Sequence, residues 1–170
     1  MISKPKFPVT PAVRQLRHAG VNFSEHLYDY LSRGGAPHAA RELGLNLHDT
    51  VKTLVFADER EQPLLMLMHG DCEVSAKSVA RQLGLKTLAP CTPEAAHKHT
   101  GYQIGGISPF GTRRQMPVCV EATVLELNQV YINGGKRGFL VGISPRTLSD
   151  ILQPTPVSAA IDHPKGDIPC

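Results

Sequence analysis

The chain has 170 residues, with 18 Lys and Arg against 15 Asp and Glu, a formal net charge of +3 and 41% hydrophobic residues. That length suits one domain with its own core, and the charge is too small for a protein that coats duplex nucleic acid, although it permits local phosphate contacts. No apolar run approaches a membrane span, the start "MISKPKFPVTPAV" lacks the apolar stretch of a secretory signal, and Cys72, Cys91, Cys119 and Cys170 form no CxxC pair, which fits a reducing cytoplasm.

The first element is a helix at "TPAVRQLRHAG", with Thr10 as N-cap, Pro11 in the first turn and Gly20 as the stop. A strand at "NFSEHLY" and a helix at "APHAARELG" follow, the helix closed by Gly44. "VKTLVFA" and "PLLMLMH" read as strands joined by a turn at "DEREQ". "SAKSVARQLG" is a helix ending at Gly84, and "TPEAAHKHTG" repeats the Thr-Pro start at Thr92 and Pro93 with a stop at Gly101. Strands follow at "PVCVEA", "QVYIN" and "GFLVGI", then a helix at "SPRTLSDIL" capped by Ser144. The tail from Gln153 holds four of the fourteen prolines and reads as an extended, loosely held terminus. Helices and short strands mix without regular βαβ spacing. The predicted class is therefore α/β of the α+β kind: a mixed, largely antiparallel, barrel-like sheet with flanking helices. One domain spans 1–170, with its core at 10–152 and the tail over 153–170.

Two features stand out chemically. Alternation along "VKTLVFA" puts Lys52 on one face with Leu54 and Phe56, apolar company for an ammonium. It either has a task or snorkels to water from a strand end. The second feature is a pair of glycine-rich stretches, "GGISPFG" and "NGGKRG", flanked by Arg113, Arg114, Lys136 and Arg137. Neither is a Walker loop or a dinucleotide fingerprint. Their glycines would let backbone N–H groups approach an anion or a ribose, or they are simply hairpin turns with solvated charges. No G-x-S-x-G nucleophile occurs. The histidines show no paired metal motif, and "HGDC" at His69 to Cys72 has no second half, so no metal and no cofactor is expected.

"VKTLVFA", "TGYQIGGISPFGTRR" and "VYINGGKRGFLVGISP", in this order, resemble the YbaK/EbsC family, free-standing relatives of the editing domain inserted in bacterial prolyl-tRNA synthetase. The likeness runs from about Thr10 to Leu152. It implies a barrel-like mixed sheet with helices, and aminoacyl-tRNA deacylation in trans with no catalytic serine, cysteine or metal. In the best-known branch, which clears Cys from tRNA for proline, the thiol of the substrate attacks its own ester carbonyl. The resemblance places the essential lysine at Lys52. It places substrate contacts at Tyr28, Thr53, Gly105, Gly106, Asn133 and Gly134; Arg113, Arg114, Lys136 and Arg137, beside the glycine-rich stretches, are the candidate tRNA contacts. Asn133 stands where the Cys-specific branch usually has serine. "HGDCEVS" puts Asp71 and Cys72 at the pocket edge, and "LSRGGAPH" lacks an expected pocket phenylalanine. These departures leave alanine, serine or another small residue open as the amino acid removed, with water as nucleophile. The expected partners are aminoacyl-tRNA and a synthetase, prolyl-tRNA synthetase first. The alternative is a non-catalytic module of the same fold that binds a small ligand or a synthetase.

Overall fold

The computed structural model describes residues 3–162. Its helices begin where the capping chemistry predicts. Helix α1 (Pro11–His18) is capped by Thr10, α4 (Pro93–Thr100) by Thr92 and α5 (Pro145–Leu152) by Ser144, each hydroxyl accepting a first-turn N–H. Helices α2 (Gly35–Leu43) and α3 (Ala76–Leu83) end on left-handed Gly44 and Gly84.

Strands β1 (Ser24–Leu27), β2 (Thr50–Asp58), β3 (Pro63–His69), β6 (Val118–Glu121), β7 (Val130–Lys136) and β8 (Phe139–Ile143) realise the six predicted runs. The turn between β2 and β3 is built on Asp58, whose carboxylate accepts from the N–H groups of Arg60 and Gln62. Four three-residue strands add to these: β4 (Cys72–Val74), β5 (Leu88–Pro90), β9 (Thr155–Val157) and β10 (Ala160–Asp162). The main sheet runs β1-β8-β7-β2-β3-β6-β9, with β5 also on β2, while β4 and β10 form a separate pair.

The mixed sheet with helices is as expected, with two corrections. Among the described residues no pairing joins β1 to β9, so the sheet is open and not a closed barrel. Three of its pairings are parallel, β2 with β7, β3 with β6 and β6 with β9, so antiparallel order dominates less than the sequence suggests.

Strand β3 is buried on both faces, which explains its unbroken apolar run. Leu65 and Leu67 face one core with α1, β7, β8 and Leu148 of α5. Leu64, Met66 and Met68 face a second core under Val79 and Ala80 of α3. Lys52 shares its strand face with Leu54 and Phe56, which pack at this second core.

The tail is also corrected. Residues 155–162 are extended, but they are not loosely held. Val157 and Ala159 are buried. The Ala159 N–H donates to the buried carboxylate of Glu121, and its carbonyl accepts from Ser75 N–H. Residues 163–170 lie outside the described residues.

Candidate functional site

Parallel strands β2 and β7 pair only at Thr50 with Tyr131 and Val51 with Ile132. Beyond that point β7 bulges between Asn133 and Lys136, and the strands part. The opening is a cavity of about 320 Å³. Its floor is Val51, Lys52, Thr53 and Leu54 of β2. Tyr28, Tyr30, Leu31 and Arg33 of the loop after β1 form one wall with Ala36, His38 and Ala39 of α2. Ile104, Gly105 and Ile107 of the glycine-rich loop form another, with Asn133 and Leu140. Among the described residues its lining includes two permanent cations, Lys52 and Arg33, and no carboxylate.

Five of the seven residues expected to touch substrate or catalyse line this one cavity: Lys52, Tyr28, Thr53, Gly105 and Asn133. The half-buried Lys52 donates from Nζ to the Cys72 carbonyl at 2.6 Å. Thr53 lines the cavity, and its Oγ1 is buried with no hydrogen-bond partner among the described residues. Burial pushes the Tyr28 phenol up, against a lowering bond with the Gly138 backbone, so Tyr28 is neutral and can donate.

Asn133 works mainly on the backbone. Its Oδ1 accepts from the N–H groups of Gly135 and Lys136, and its Nδ2 donates to the Gly105 carbonyl at 3.0 Å. It thereby ties the β7 bulge to the glycine-rich loop.

The remaining two glycines do not line the cavity and have packing reasons. A Cβ on Gly106 would sit 2.8 Å from the Arg137 backbone nitrogen, and one on Gly134 would sit 2.5 Å from the Phe139 ring. The Gly134 carbonyl also accepts from the Thr10 hydroxyl, which fixes α1 to β7.

The basic residues divide into two groups. Arg137 donates from Nε to the Ile104 carbonyl at 2.8 Å and lies over the Tyr30 ring, 5.1 Å from its centroid, at the cavity mouth. Lys136 beside it is exposed. Arg114 instead bonds Gln62 in the β2–β3 turn, and Arg113 follows the end of α4. At about 3.3 Å per residue that turn is roughly 20 Å along β2 from Lys52.

Sequence reasoning missed Tyr30, Arg33 and His38 as lining residues. His38 Nε2 lies 2.7 Å from the Asp29 carbonyl, and the ring meets Tyr28 edge-on. A histidine in a helical pattern carries no local sign of this.

His48, His69 and Asp71 form a cluster whose candidate ligand atoms lie within 4.8 Å of one another. Their arrangement suits a brace better than a metal site. Nδ1 of His69 donates to the His48 carbonyl at 2.8 Å, and Nε2 accepts from the Thr123 hydroxyl at 2.7 Å. The two imidazoles stack at 3.7 Å and 8°, so their in-plane lone pairs lie in separate, nearly parallel planes and do not converge on one ion. His48 Nδ1 already donates to the Asp71 carboxylate at 2.9 Å.

Burial holds His69 below its ordinary pKa of 6.5, partly offset by the His48 carbonyl. For Asp71 burial alone would raise the carboxyl, but the His48 bond and charge and the Cys72 thiol outweigh it and leave it below 3.8. Both groups are depressed in the folded state. His69 therefore contributes stability above pH 6.5 that is lost as the pH falls, because the unfolded chain takes up the proton first. Asp71 adds a second loss below 3.8. Melting temperature is expected to fall on acidification from neutrality through the first window, and His69→Gln is expected to flatten that limb. An unchanged limb in the variant would assign the acid sensitivity elsewhere.

The model of a family described as the aminoacyl-tRNA editing domain matches residues 35–151. A protein of Enterococcus faecalis named "Putative Cys-tRNA(Pro)/Cys-tRNA(Cys) deacylase EbsC" is 26% identical over 87% of this chain and 91% of its own length. A proline–tRNA ligase of Limosilactobacillus fermentum is 30% identical over 59% of this chain, which is 18% of that much longer protein. Among solved structures, one described as a "putative trans-editing enzyme for prolyl tRNA synthetase" superposes with a TM-score of 0.76 at 24% identity, over 91% of this chain and 99% of its own. No helix among the described residues is long and apolar enough to cross a membrane.

Proposed function

This chain belongs to the aminoacyl-tRNA editing domain family, and from that premise we propose that it acts in trans as a deacylase on aminoacyl-tRNA. It clears a small mischarged amino acid, with Cys on tRNA for proline as the leading substrate. The observation that carries this reading is one small cavity holding Lys52, the unpartnered Thr53 hydroxyl and the Gly105 wall, with no serine or cysteine among its lining residues. Burial pushes the Cys91 and Cys119 thiols up, away from the thiolate form a nucleophile needs.

The nucleophile then comes from the substrate. Its thiol sulfur bonds to the ester carbon, the bond from that carbon to the ribose oxygen breaks, and the thiol proton ends on the ribose hydroxyl. Lys52 supplies a fixed positive charge to the carbonyl or departing ribose oxygen, and the cavity walls hold the ester in place. Thr53 and Tyr28 offer hydroxyls to the aminoacyl group. The cavity of about 320 Å³ holds the aminoacyl ester, and the tRNA end lies at the mouth, where Tyr30 and Arg137 offer an aromatic face and a cation. Lys136 and Arg137 are the tRNA contacts nearest the chemistry, while Arg113 and Arg114 would meet a more distant part of the acceptor arm or of a synthetase. Prolyl-tRNA synthetase is the proposed source of tRNA selectivity, since the modest net charge gives this chain little grip of its own.

The test is a deacylation screen of tRNA for proline charged with Cys, Ala, Ser or Pro. Cys is expected to be released fastest and Pro not at all. Equal release of Ala would make water the nucleophile. No release of any small residue would replace this reading with a non-catalytic binding module.

A further inference from the structure

Lys52 has a long, flexible stem, so the position of its ammonium is set by what accepts from it. One acceptor is the backbone carbonyl of Cys72, 2.6 Å from Nζ. Cys72 opens β4, which leaves the main sheet after His69 and Gly70. The only strand paired with β4 among the described residues is β10, in the register Val74 with Ala160, Glu73 with Ile161 and Cys72 with Asp162. Strand β10 is itself held from behind, since Ala159 bonds Glu121 and Ser75 through its two backbone groups. On the other side Asp71 is fixed by His48. The segment that receives the ammonium is thus pinned by the His48 brace before it and by β10 alongside it. Residues 155–162 also lie beyond the family match, which ends at 151.

We propose that the C-terminal strand β10 is a positioning element for Lys52, holding through β4 the Cys72 carbonyl that fixes the lysine ammonium at the cavity floor. This rests on the deacylase reading for its kinetic consequence, but its structural consequence can be measured without any tRNA.

The experiment uses the full chain with Ile161→Pro and Ile161→Val. The Ile161 side chain is 48% exposed, so replacing it removes little packing. Proline deletes an N–H and locks φ, which breaks a two-stranded pairing, whereas valine keeps β geometry. The first readout is the ¹H–¹⁵N signal of the Lys52 side-chain ammonium, assigned by its disappearance in Lys52→Arg. It is expected to shift or broaden in Ile161→Pro and to stay in place in Ile161→Val. The second readout is steady-state deacylation, with kcat expected to fall on the order of 10- to 100-fold in Ile161→Pro while KM holds, as for a misplaced group that does not bind the ground state. If Ile161→Pro does not fold, a chain ending at Ala159 keeps the buried Val157 and Ala159 and takes its place. A Lys52 signal unchanged in a folded variant lacking the β10 pairing overturns the proposal. A signal that moves while the parent protein turns over no aminoacyl-tRNA supports the positioning role and removes the deacylase reading.

Discussion

Lys52→Ala is expected to slow deacylation of Cys-charged tRNA for proline about 100- to 1,000-fold, the usual effect of losing one preorganised group beside a developing oxyanion, or about 2.7–4 kcal/mol. The melting temperature is expected to change little. Lys52 is half-buried and the substitution removes a charge from a strand face shared with Leu54 and Phe56. The bond it breaks to the Cys72 carbonyl is worth about 1 kcal/mol. Lys52→Arg is expected not to rescue turnover. The guanidinium is planar, delocalised and bulkier, and it does not reproduce the compact point charge of an ammonium. Single-turnover rates with melting curves on the same samples make the measurement. Near-normal rates in Lys52→Ala would make the lysine structural, and the cavity would then need another source of positive charge. Among the described residues Arg33 is the only other permanent cation in its lining.

The parts of this molecule legible in its sequence are those whose cause is local. A Thr or Ser hydroxyl three residues before a free N–H, with proline in the first turn, fixes the starts of α1, α4 and α5 without any tertiary information. Lys52 is visible as an anomaly for the same reason, since alternation along one strand suffices to put it in apolar company.

What stayed hidden depends on partners far away in the chain. Strands β4, β5, β9 and β10 have three residues each, too few to show a period, and exist because another strand lies beside them. The prolines at 154 and 156 suggest a loose tail, yet among the described residues β9 pairs only with β6 at the edge of the sheet, where proline is tolerated. The lining role of Tyr30, Arg33 and His38 arises because α2 and the loop after β1 close over the gap between β2 and β7. One acceptor for Lys52 is a backbone carbonyl, which no residue identity could reveal.

The glycine-rich loop gives the second large expected effect, as a contrast between two of its glycines. Gly111 has φ +63°, and a Cβ there would lie 2.4 Å from the Pro11 carbonyl carbon and 2.7 Å from the Ala12 nitrogen. These are backbone atoms of the first turn of α1, and they cannot swing aside. Helix α1 supplies Ala12, Val13 and Leu16 to the core, all fully buried. Gly111→Ala must push that helix off or distort the loop, at a cost on the order of 2–6 kcal/mol from left-handed strain plus overpacking. Set against a typical total of about 5–15 kcal/mol, that loss lowers the melting temperature sharply or prevents folding.

Gly105 has φ +87°, but the Cβ there would meet the Tyr30 hydroxyl at 2.7 Å and ring carbon Cε2 at 2.9 Å. Tyr30 is 37% exposed, so its ring can move. The stability cost is then mainly the backbone strain, about 1–3 kcal/mol. The functional cost is larger, because the displaced ring carries the Arg137 guanidinium and forms the cavity wall. Gly105→Ala is therefore expected to remain folded and to lose on the order of 100-fold in kcat/KM, the scale of a small misplacement at a site. Adding Tyr30→Ala to Gly105→Ala removes the clash and is expected to return part of that loss. Melting curves and kcat/KM on all three variants separate the two glycines. Full activity in Gly105→Ala would take this loop out of the substrate site and leave it, like Gly111, as packing for the fold.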